Sequence, residues 1–202
     1  ATALRTVIRE AACDPIALSA ILDGTMPDQA RHILTDAIER EEAPVDGHKL
    51  WDLYHAFFRL AQPTAVEGFA EMGGGIAGHV IRAAKATATP KDFMEAIRTK
   101  QYTDARLRRA MLFALTGVTK ADLRAMPAYV TVLAANEKGC QYLARQRKVD
   151  HPDLSVITKP ADAPEGRQRA LAEQVDALFT LCLPHPKPAG DMMNKSPWVE
   201  KF

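Results

Sequence analysis

Cysteine, aromatic residues and long hydrophobic runs are all scarce in this chain of 202 residues. Its three cysteines, Cys13, Cys140 and Cys182, are widely spaced, which argues against a disulfide framework and a CxxC metal site. No apolar run approaches the roughly 18 residues that cross a bilayer, and we expect no signal peptide. These features predict a cytoplasmic protein with no membrane association.

Recognisable catalytic signatures are missing as well. The six histidines follow no HExxH or other metal-ligand spacing. His48 and His55, seven residues apart on one predicted helix, are more typical of core packing than of a ligand pair. Gly73–Gly75 lacks the Lys-Ser/Thr of a phosphate loop, so we expect a hinge or a close helix contact there. The residues therefore predict no complete active site, no catalytic residue and no metal site.

Helical periodicity dominates what the chain does contain. Apolar residues recur at helical spacing along most of its length, while Tyr129–Leu133 is rich in β-branched and aromatic residues. We predict a mainly α fold, a multi-helix domain with a small two-stranded βαβ-like element near the C-terminus and parallel strands. In the helix that begins at Pro27, Ile33, Leu34 and Ile38 share the apolar face.

The same patterns predict approximate bounds for each element. Helices are predicted over residues 2–11, 15–23, 27–42, 46–63, 76–86, from 90 to the residues before 98, 104–117, 119–126, 137–149 and 165–183; strands are predicted over 129–133 and 154–158. The Pro-rich tail, 184–202, has no regular pattern.

The net charge of +1 conceals an uneven distribution. Residues 1–97 hold 9 Lys and Arg against 14 Asp and Glu, residues 98–148 hold 11 against 3, and residues 149–202 hold 6 against 8. A basic middle third in an otherwise acidic chain is the electrostatic pattern expected for a polyanionic partner.

The basic segment, Arg98–Arg109, runs directly into an apolar helix. Thr103 is a suitable N-cap for that helix, and Arg106 and Arg109, three residues apart, share one face of it. The opposite, buried face is predicted to carry Leu107, Met111, Ala114 and Leu115. Guanidinium groups and a tyrosine beside free N–H groups at a helix start predict a site for a phosphate backbone. The alternative for any short basic run is a solvated helix face with a packed tyrosine.

This segment resembles a block of the bacterial tRNA(Met) cytidine acetate ligase family. Residues 98–103, Arg-Thr-Lys-Gln-Tyr-Thr, and 105–109, Ala-Arg-Leu-Arg-Arg, are similar to that family's Lys-Thr-Lys-Arg-Tyr-Thr…Arg-hydrophobic-x-Arg. Residues 1–5, Ala-Thr-Ala-Leu-Arg, are similar to its Ser-Ala-Thr-x-Ile-Arg segment, and residues 132–139 to its strand–Asn-x-Lys-Gly–helix element. The order holds to about residue 180, and the resemblance is to the C-terminal region of that HIGH-type nucleotidyltransferase-like family.

The chain departs from the family pattern in two places. Gln101 stands where the family has Arg, and Ala77, Gly78 and His79 stand where it has Glu, Asn and Arg. If those polar groups brace the basic segment or contact RNA, this chain does so with other groups.

The resemblance implies the tRNA-binding, C-terminal part of an ATP-dependent ligase. That family activates acetate as acetyl-adenylate with ATP and Mg²⁺, and then acetylates N4 of the wobble cytidine of elongator tRNA(Met). We expect a preceding domain to bind acetate and ATP, and this part alone to hold no cofactor. Residues 1–12 would end the nucleotidyltransferase-like domain, residues 13–183 would form the helical RNA-binding domain with its small α/β element, and residues 184–202 would be the tail.

Two groups of side chains are candidate ligand contacts by the same resemblance. Thr2 and Arg5 would contact nucleotide phosphates, unless Arg5 pairs with an acid such as Glu10. The predicted RNA-binding residues are Arg98, Lys100, Tyr102, Thr103, Arg106, Arg108 and Arg109, with Tyr102 stacking on a base or ribose. A function of another class stays open, a helical protein-interaction module whose basic face binds an acidic partner, with no RNA role.

Overall fold

The computed structural model describes residues 4, 6–8, 14–146 and 154–199. Its α-helices are α1 (Pro15–Leu22), α2 (Asp28–Glu39), α3 (Gly47–Leu60), α4 (Pro63–Val66), α5 (Ile76–Ala86), α6 (Pro90–Ala96), α7 (Asp104–Leu115), α8 (Glu137–Gln146) and α9 (Arg167–Leu181). Short 3₁₀ helices span Asp122–Arg124 and Pro160–Asp162, and the strands are β1 (Tyr129–Thr131), β2 (Ala134–Ala135), β3 (Ser155–Ile157) and β4 (Trp198–Val199). No helix in these ranges is both long enough and apolar enough to cross a membrane.

The strands form two separate parallel pairs. β1 pairs with β3, with Val130 opposite Val156, and β2 pairs with β4, with Ala134 opposite Trp198. The mainly helical class with a small parallel pair is confirmed. The strand predicted over 129–133 is confirmed as β1, although it ends at Thr131, and a separate strand, β2, follows it. Residues 184–197 contain no helix or strand, in agreement with the expected irregular tail. Near the end of that tail, β4 pairs with β2, a partner too distant in sequence for local patterns to reveal.

Local signals determine several helix ends. Thr89 and Thr103 each accept a hydrogen bond from the backbone N–H three residues further on, at 3.2 and 3.3 Å, and so cap α6 and α7 as predicted. α7 ends two residues earlier than predicted, because Gly117 has a left-handed φ of 72°. α2 ends at Glu39 and not at the predicted residue 42, because Glu41 has a left-handed φ of 57°.

One compact unit comprises residues 1–50 and 179–188. Its core contains Leu18, Leu22 and Ile38, with Leu34 packed against them. Ile33 is 63% exposed, so its predicted place on the buried face of α2 is wrong. The buried stripe of α2 is narrower than the apolar pattern, because Leu34 and Ile38 are one turn apart while Ile33 lies about 100° around the helix.

The second unit comprises residues 51–178 and 189–202. Within it, α7 buries Leu107, Met111 and Ala114 as predicted. Leu115 is only half-buried, and Ala110 is fully buried in its stead. The buried face of α7 is therefore rotated slightly from the predicted face. The arginines lie on the exposed side of the helix.

His55 belongs to the core of this second unit. Its ring is buried and stacks on Phe93 with 5.4 Å between the ring centroids. Its Nε2 lies 3.1 Å from the Ala84 carbonyl and 3.2 Å from that of Thr87. Because carbonyl oxygens only accept, Nε2 carries the hydrogen. Core packing is confirmed for this histidine.

Candidate nucleic-acid interface

Hydrogen bonds hold the backbone at the start of the basic segment and within it. His79 on α5 donates from Nε2 to the Ile97 carbonyl at 2.9 Å, where α6 leads into the segment. Within the segment, the Tyr102 N–H donates to Thr99 Oγ1 at 3.1 Å. His79 is one of the residues that departs from the family pattern. The bracing of the basic segment is therefore performed here by an imidazole.

Tyr102 connects the basic segment to the glycine segment, Gly73–Gly75. Its hydroxyl donates to the Gly74 carbonyl at 2.5 Å. Gly74 and Gly75 have left-handed φ values of 68° and 86°, which L side chains adopt only with strain. The glycines thus make a close contact, as expected, but with a tyrosine of the basic segment rather than with a helix.

Arg106 lies over the ring of Tyr102. Its guanidinium carbon is 5.4 Å from the ring centroid, which is cation–π geometry. Tyr102 is half-buried and Arg106 is exposed. The ring therefore orients a guanidinium toward solvent, where its donors can bind phosphate oxygens or its plane can stack on a base.

Two of the predicted arginines are already paired with carboxylates. Arg109 donates from Nε and Nη2 to the two carboxylate oxygens of Glu71, at 2.6 and 2.8 Å, and this pairing raises the pKa of Arg109. Arg98 Nε lies 3.5 Å from Asp104 Oδ2. Both arginines keep about half of their side chains exposed. Arg109 points outward as predicted. Because both arginines are paired, less positive charge is available than the count of cations suggests.

The other cations that were predicted to bind RNA are not paired with a carboxylate in the described part of the chain. Lys100, Arg106 and Arg108 are exposed, and none of them forms an ion pair within the described ranges. Arg108 and Arg98 border a shallow notch whose apolar walls include Trp51, Ile97 and Leu107. The structure thus places Arg106 beside Tyr102, Arg109 beside Glu71, and Arg98 with Arg108 at the notch. Thr103 serves as the helix cap.

Thr2 and Arg5, the predicted nucleotide contacts, lie outside the described residues. Among residues 4, 6–8, 14–146 and 154–199, no group of three His, Cys, Asp or Glu side chains is arranged to hold a metal ion.

Sequence reasoning missed two residues of this surface. His79 stood at a flagged departure from the family pattern, which is the one signal that pointed to it. Glu71 carried no signal, since its pairing with Arg109 joins residues 38 positions apart.

Comparisons with known proteins give a consistent result. The family model described as HIGH Nucleotidyl Transferase matches residues 1–193. The tRNA(Met) cytidine acetate ligase of Acetivibrio thermocellus is 27% identical over 175 residues, which cover 82% of this chain and 42% of that protein. The protein of the same name from Thermotoga maritima is 28% identical over 189 residues, covering 87% and 43%.

A solved structure, Thermotoga maritima TmcAL bound with alpha-thio ATP, superposes with a TM-score of 0.80 at 23% identity. It covers 98% of this chain and 51% of that chain, and it shows the fold. The chain thus spans about half the length, or less, of the relatives it matches. The family match begins at residue 1 and extends to residue 193, so the resemblance is not confined to a C-terminal region, contrary to that part of the prediction.

Proposed function

The chain belongs to the HIGH nucleotidyl transferase family, and we propose that it is the tRNA-binding part of an ATP-dependent tRNA(Met) cytidine acetate ligase. The curated relatives that carry this name support the proposal. In it, acetate is activated as acetyl-adenylate, and the acetyl group passes to N4 of the wobble cytidine of elongator tRNA(Met). The enzyme would act in the cytoplasm.

The adenylation step is assigned to the part of the relatives that this chain does not match. That part would bind acetate, ATP and Mg²⁺, and the solved relative with bound alpha-thio ATP supports the use of ATP. Thr2 and Arg5 would contribute contacts to the nucleotide phosphates. The division of the chain at residues 12 and 183 remains a prediction.

Holding the tRNA is the task assigned to this chain. Arg98, Lys100, Arg106, Arg108 and Arg109 would contact phosphates, and Tyr102 would support a stacked base or ribose. The observation that carries this proposal is the guanidinium of Arg106 held over the Tyr102 ring. The Tyr102 hydroxyl is in turn held by the Gly74 carbonyl, and His79 holds the backbone of Ile97, directly before the segment. Such an arrangement reduces the entropy lost when RNA binds.

The second candidate function is a module that binds an acidic protein surface. The bidentate pairing of Arg109 with Glu71 shows how a guanidinium of this segment binds a carboxylate. The exposed Arg106 and Arg108 would bind the carboxylates of such a partner in the same way. Salt dependence does not separate the two functions, because both are electrostatic.

Direct titration with elongator tRNA(Met) tests the proposal. The 202-residue chain is titrated at several salt concentrations, with Arg106→Gln as the variant. We expect binding that weakens with salt and a variant whose salt slope is lower by about 0.7–0.9, the range for one lost phosphate contact. Absence of tRNA binding, with binding of polyglutamate instead, would establish the acidic-partner function.

A further inference from the structure

Lys120 lies against the glycine segment although it is outside the basic segment. Its Nζ is 3.7 Å from the position that a Cβ on Gly73 would occupy. Backbone pairing places it there, because Phe69 and Thr119 form an antiparallel bridge and the Ala70 N–H donates to the Val118 carbonyl at 2.8 Å. The position of Lys120 beside Gly73 is therefore a product of the fold.

The charge of Lys120 is available to a ligand. The side chain is exposed, and no carboxylate in the described part of the chain forms an ion pair with it. Gly74, the next residue of the glycine segment, accepts the hydrogen bond of Tyr102, and Arg106 lies over the ring of that tyrosine. Lys120 lies against Gly73, and Arg106 is linked to the adjacent Gly74 through Tyr102.

Neither the backbone conformation nor the packing around Gly73 requires a glycine at this position. Unlike Gly74 and Gly75, it does not have a left-handed φ, and a Cβ there would make only an ordinary contact with the flexible end of Lys120. Glycine also occurs where a ligand must approach the backbone closely. Backbone that carries no side chain at Gly73 and Gly74, with an exposed cation near each of them, suits a ligand that is elongated and negatively charged.

We propose that the tRNA surface extends across Gly73 to Lys120, with the sugar–phosphate backbone lying over Gly73 and with Lys120 and Arg106 each contacting a phosphate. This inference rests on the proposed tRNA-binding function. The backbone of the RNA fits better than its base edges, because a lysine is a point charge without bidentate geometry and the glycine segment offers no side-chain hydrogen bonds.

The charge contribution is measured with Lys120→Gln against the matched control Lys91→Gln, which removes an exposed lysine from α6. Titration with elongator tRNA(Met) should show Lys120→Gln binding about five- to eightfold more weakly at 0.1 M salt, with a slope lower by about 0.7–0.9. Lys91→Gln should bind like the wild-type chain.

The close approach is measured with Gly73→Leu against Ala88→Leu, which adds similar bulk at an exposed position between α5 and α6. Gly73→Leu should weaken tRNA binding at least fivefold, while Ala88→Leu should not. Thermal unfolding establishes that each variant folds, and if Gly73→Leu does not fold, Lys120→Gln decides.

Arg106→Gln separates this inference from the function on which it rests. If Arg106→Gln weakens binding while Lys120→Gln and Gly73→Leu bind like their controls, the extension to Lys120 is overturned and the proposed function stands. If the wild-type chain itself does not bind tRNA, both are overturned.

Discussion

Glu71 accepts two hydrogen bonds from Arg109, at 2.6 and 2.8 Å, across 38 residues of sequence. Two parallel bonds of this kind restrict both side chains to one geometry. Glu71 also has a left-handed φ of 60°, which is costly for a residue with a side chain. A phosphate that binds Arg109 must therefore compete with a carboxylate that the fold holds in place.

Removal of that competing carboxylate should strengthen RNA binding. In Glu71→Gln, Arg109 becomes available to a phosphate, so we expect about five- to eightfold tighter binding of elongator tRNA(Met) at 0.1 M salt and a slope steeper by about 0.7–0.9. Glu95→Gln, which removes an exposed carboxylate on α6, is the control. Equal effects of the two variants would show that general charge repulsion, and not the release of Arg109, is responsible.

Tyr102 should contribute through its ring and its hydroxyl in separable ways. Tyr102→Phe loses the hydrogen bond to Gly74 and should reduce the free energy of unfolding by about 0.5–1.5 kcal/mol, while most of the tRNA affinity remains. Tyr102→Ala should weaken tRNA binding by about 1–3 kcal/mol with an unchanged salt slope, because no charge is removed. Titration and urea unfolding of both variants measure these effects. Loss of affinity in Tyr102→Phe as large as in Tyr102→Ala would rule out the stacking role.

Met111 and Leu112 are neighbours on α7 that should differ sharply in their contribution to stability. Met111 is fully buried, whereas Leu112 is 38% exposed. Met111→Ala should therefore lower the free energy of unfolding by about 2–5 kcal/mol, and Leu112→Ala by clearly less. Urea denaturation of the two variants tests the orientation of the helix that carries the arginines, and similar losses would mean that this orientation is wrong.

The Asp122–Arg167 pair should make the free energy of unfolding depend on pH. Arg167 donates to both carboxylate oxygens at 2.9 and 2.8 Å, and the Thr119 N–H donates to Oδ2 at 2.7 Å, which holds the pKa of Asp122 well below its ordinary value of 3.8. A depressed carboxyl pKa stabilises the folded state above the unfolded-state pKa, and that contribution is lost as the pH falls through the folded-state pKa.

The stability advantage of the wild-type chain over Asp122→Asn should consequently be complete above about pH 5 and shrink as the pH falls below about 4. Denaturation curves at pH values from neutral to acidic measure it. Asp52→Asn, on an exposed position of α3, should show no such dependence on pH. A constant difference between wild type and Asp122→Asn would contradict the assigned role of the pair.

Separation of catalysis from RNA binding predicts the behaviour of the isolated chain. The 202-residue chain should not catalyse acetate-dependent exchange of pyrophosphate into ATP, because that chemistry is assigned to the unmatched part of the relatives. The full-length Thermotoga maritima protein serves as the positive control. Exchange by the isolated chain would place adenylation within these residues.

Features that depend on neighbouring residues could be predicted from the sequence. Thr89 and Thr103 cap their helices as expected, since capping involves residues only three positions apart. α5 has the predicted bounds, 76–86, because a glycine segment precedes it and apolar residues recur along it. The exposed position of Arg106 follows from the same periodicity.

Features that depend on contacts between residues distant in sequence could not be predicted from the sequence. The partner of Arg109 lies 38 residues away, and helical spacing carries no information about it. Ile33 occurs at the helical spacing typical of a buried residue but is 63% exposed. Helical spacing does not show how much of the apolar face of α2 is covered by the rest of the fold. Contacts of this kind decide how much positive charge the candidate interface presents, so that charge could not be predicted from the sequence.

The pairing of β2 with β4 has a consequence for synthesis of the chain on the ribosome. Trp198, the partner of Ala134, is translated about 60 residues later, a delay of about 3–12 s at ordinary elongation rates. During that interval α8 and α9 emerge while the edge of β2 is still without its partner. Unpaired strand edges are where nascent chains associate wrongly, so β2 is open to incorrect pairing until Trp198 has emerged.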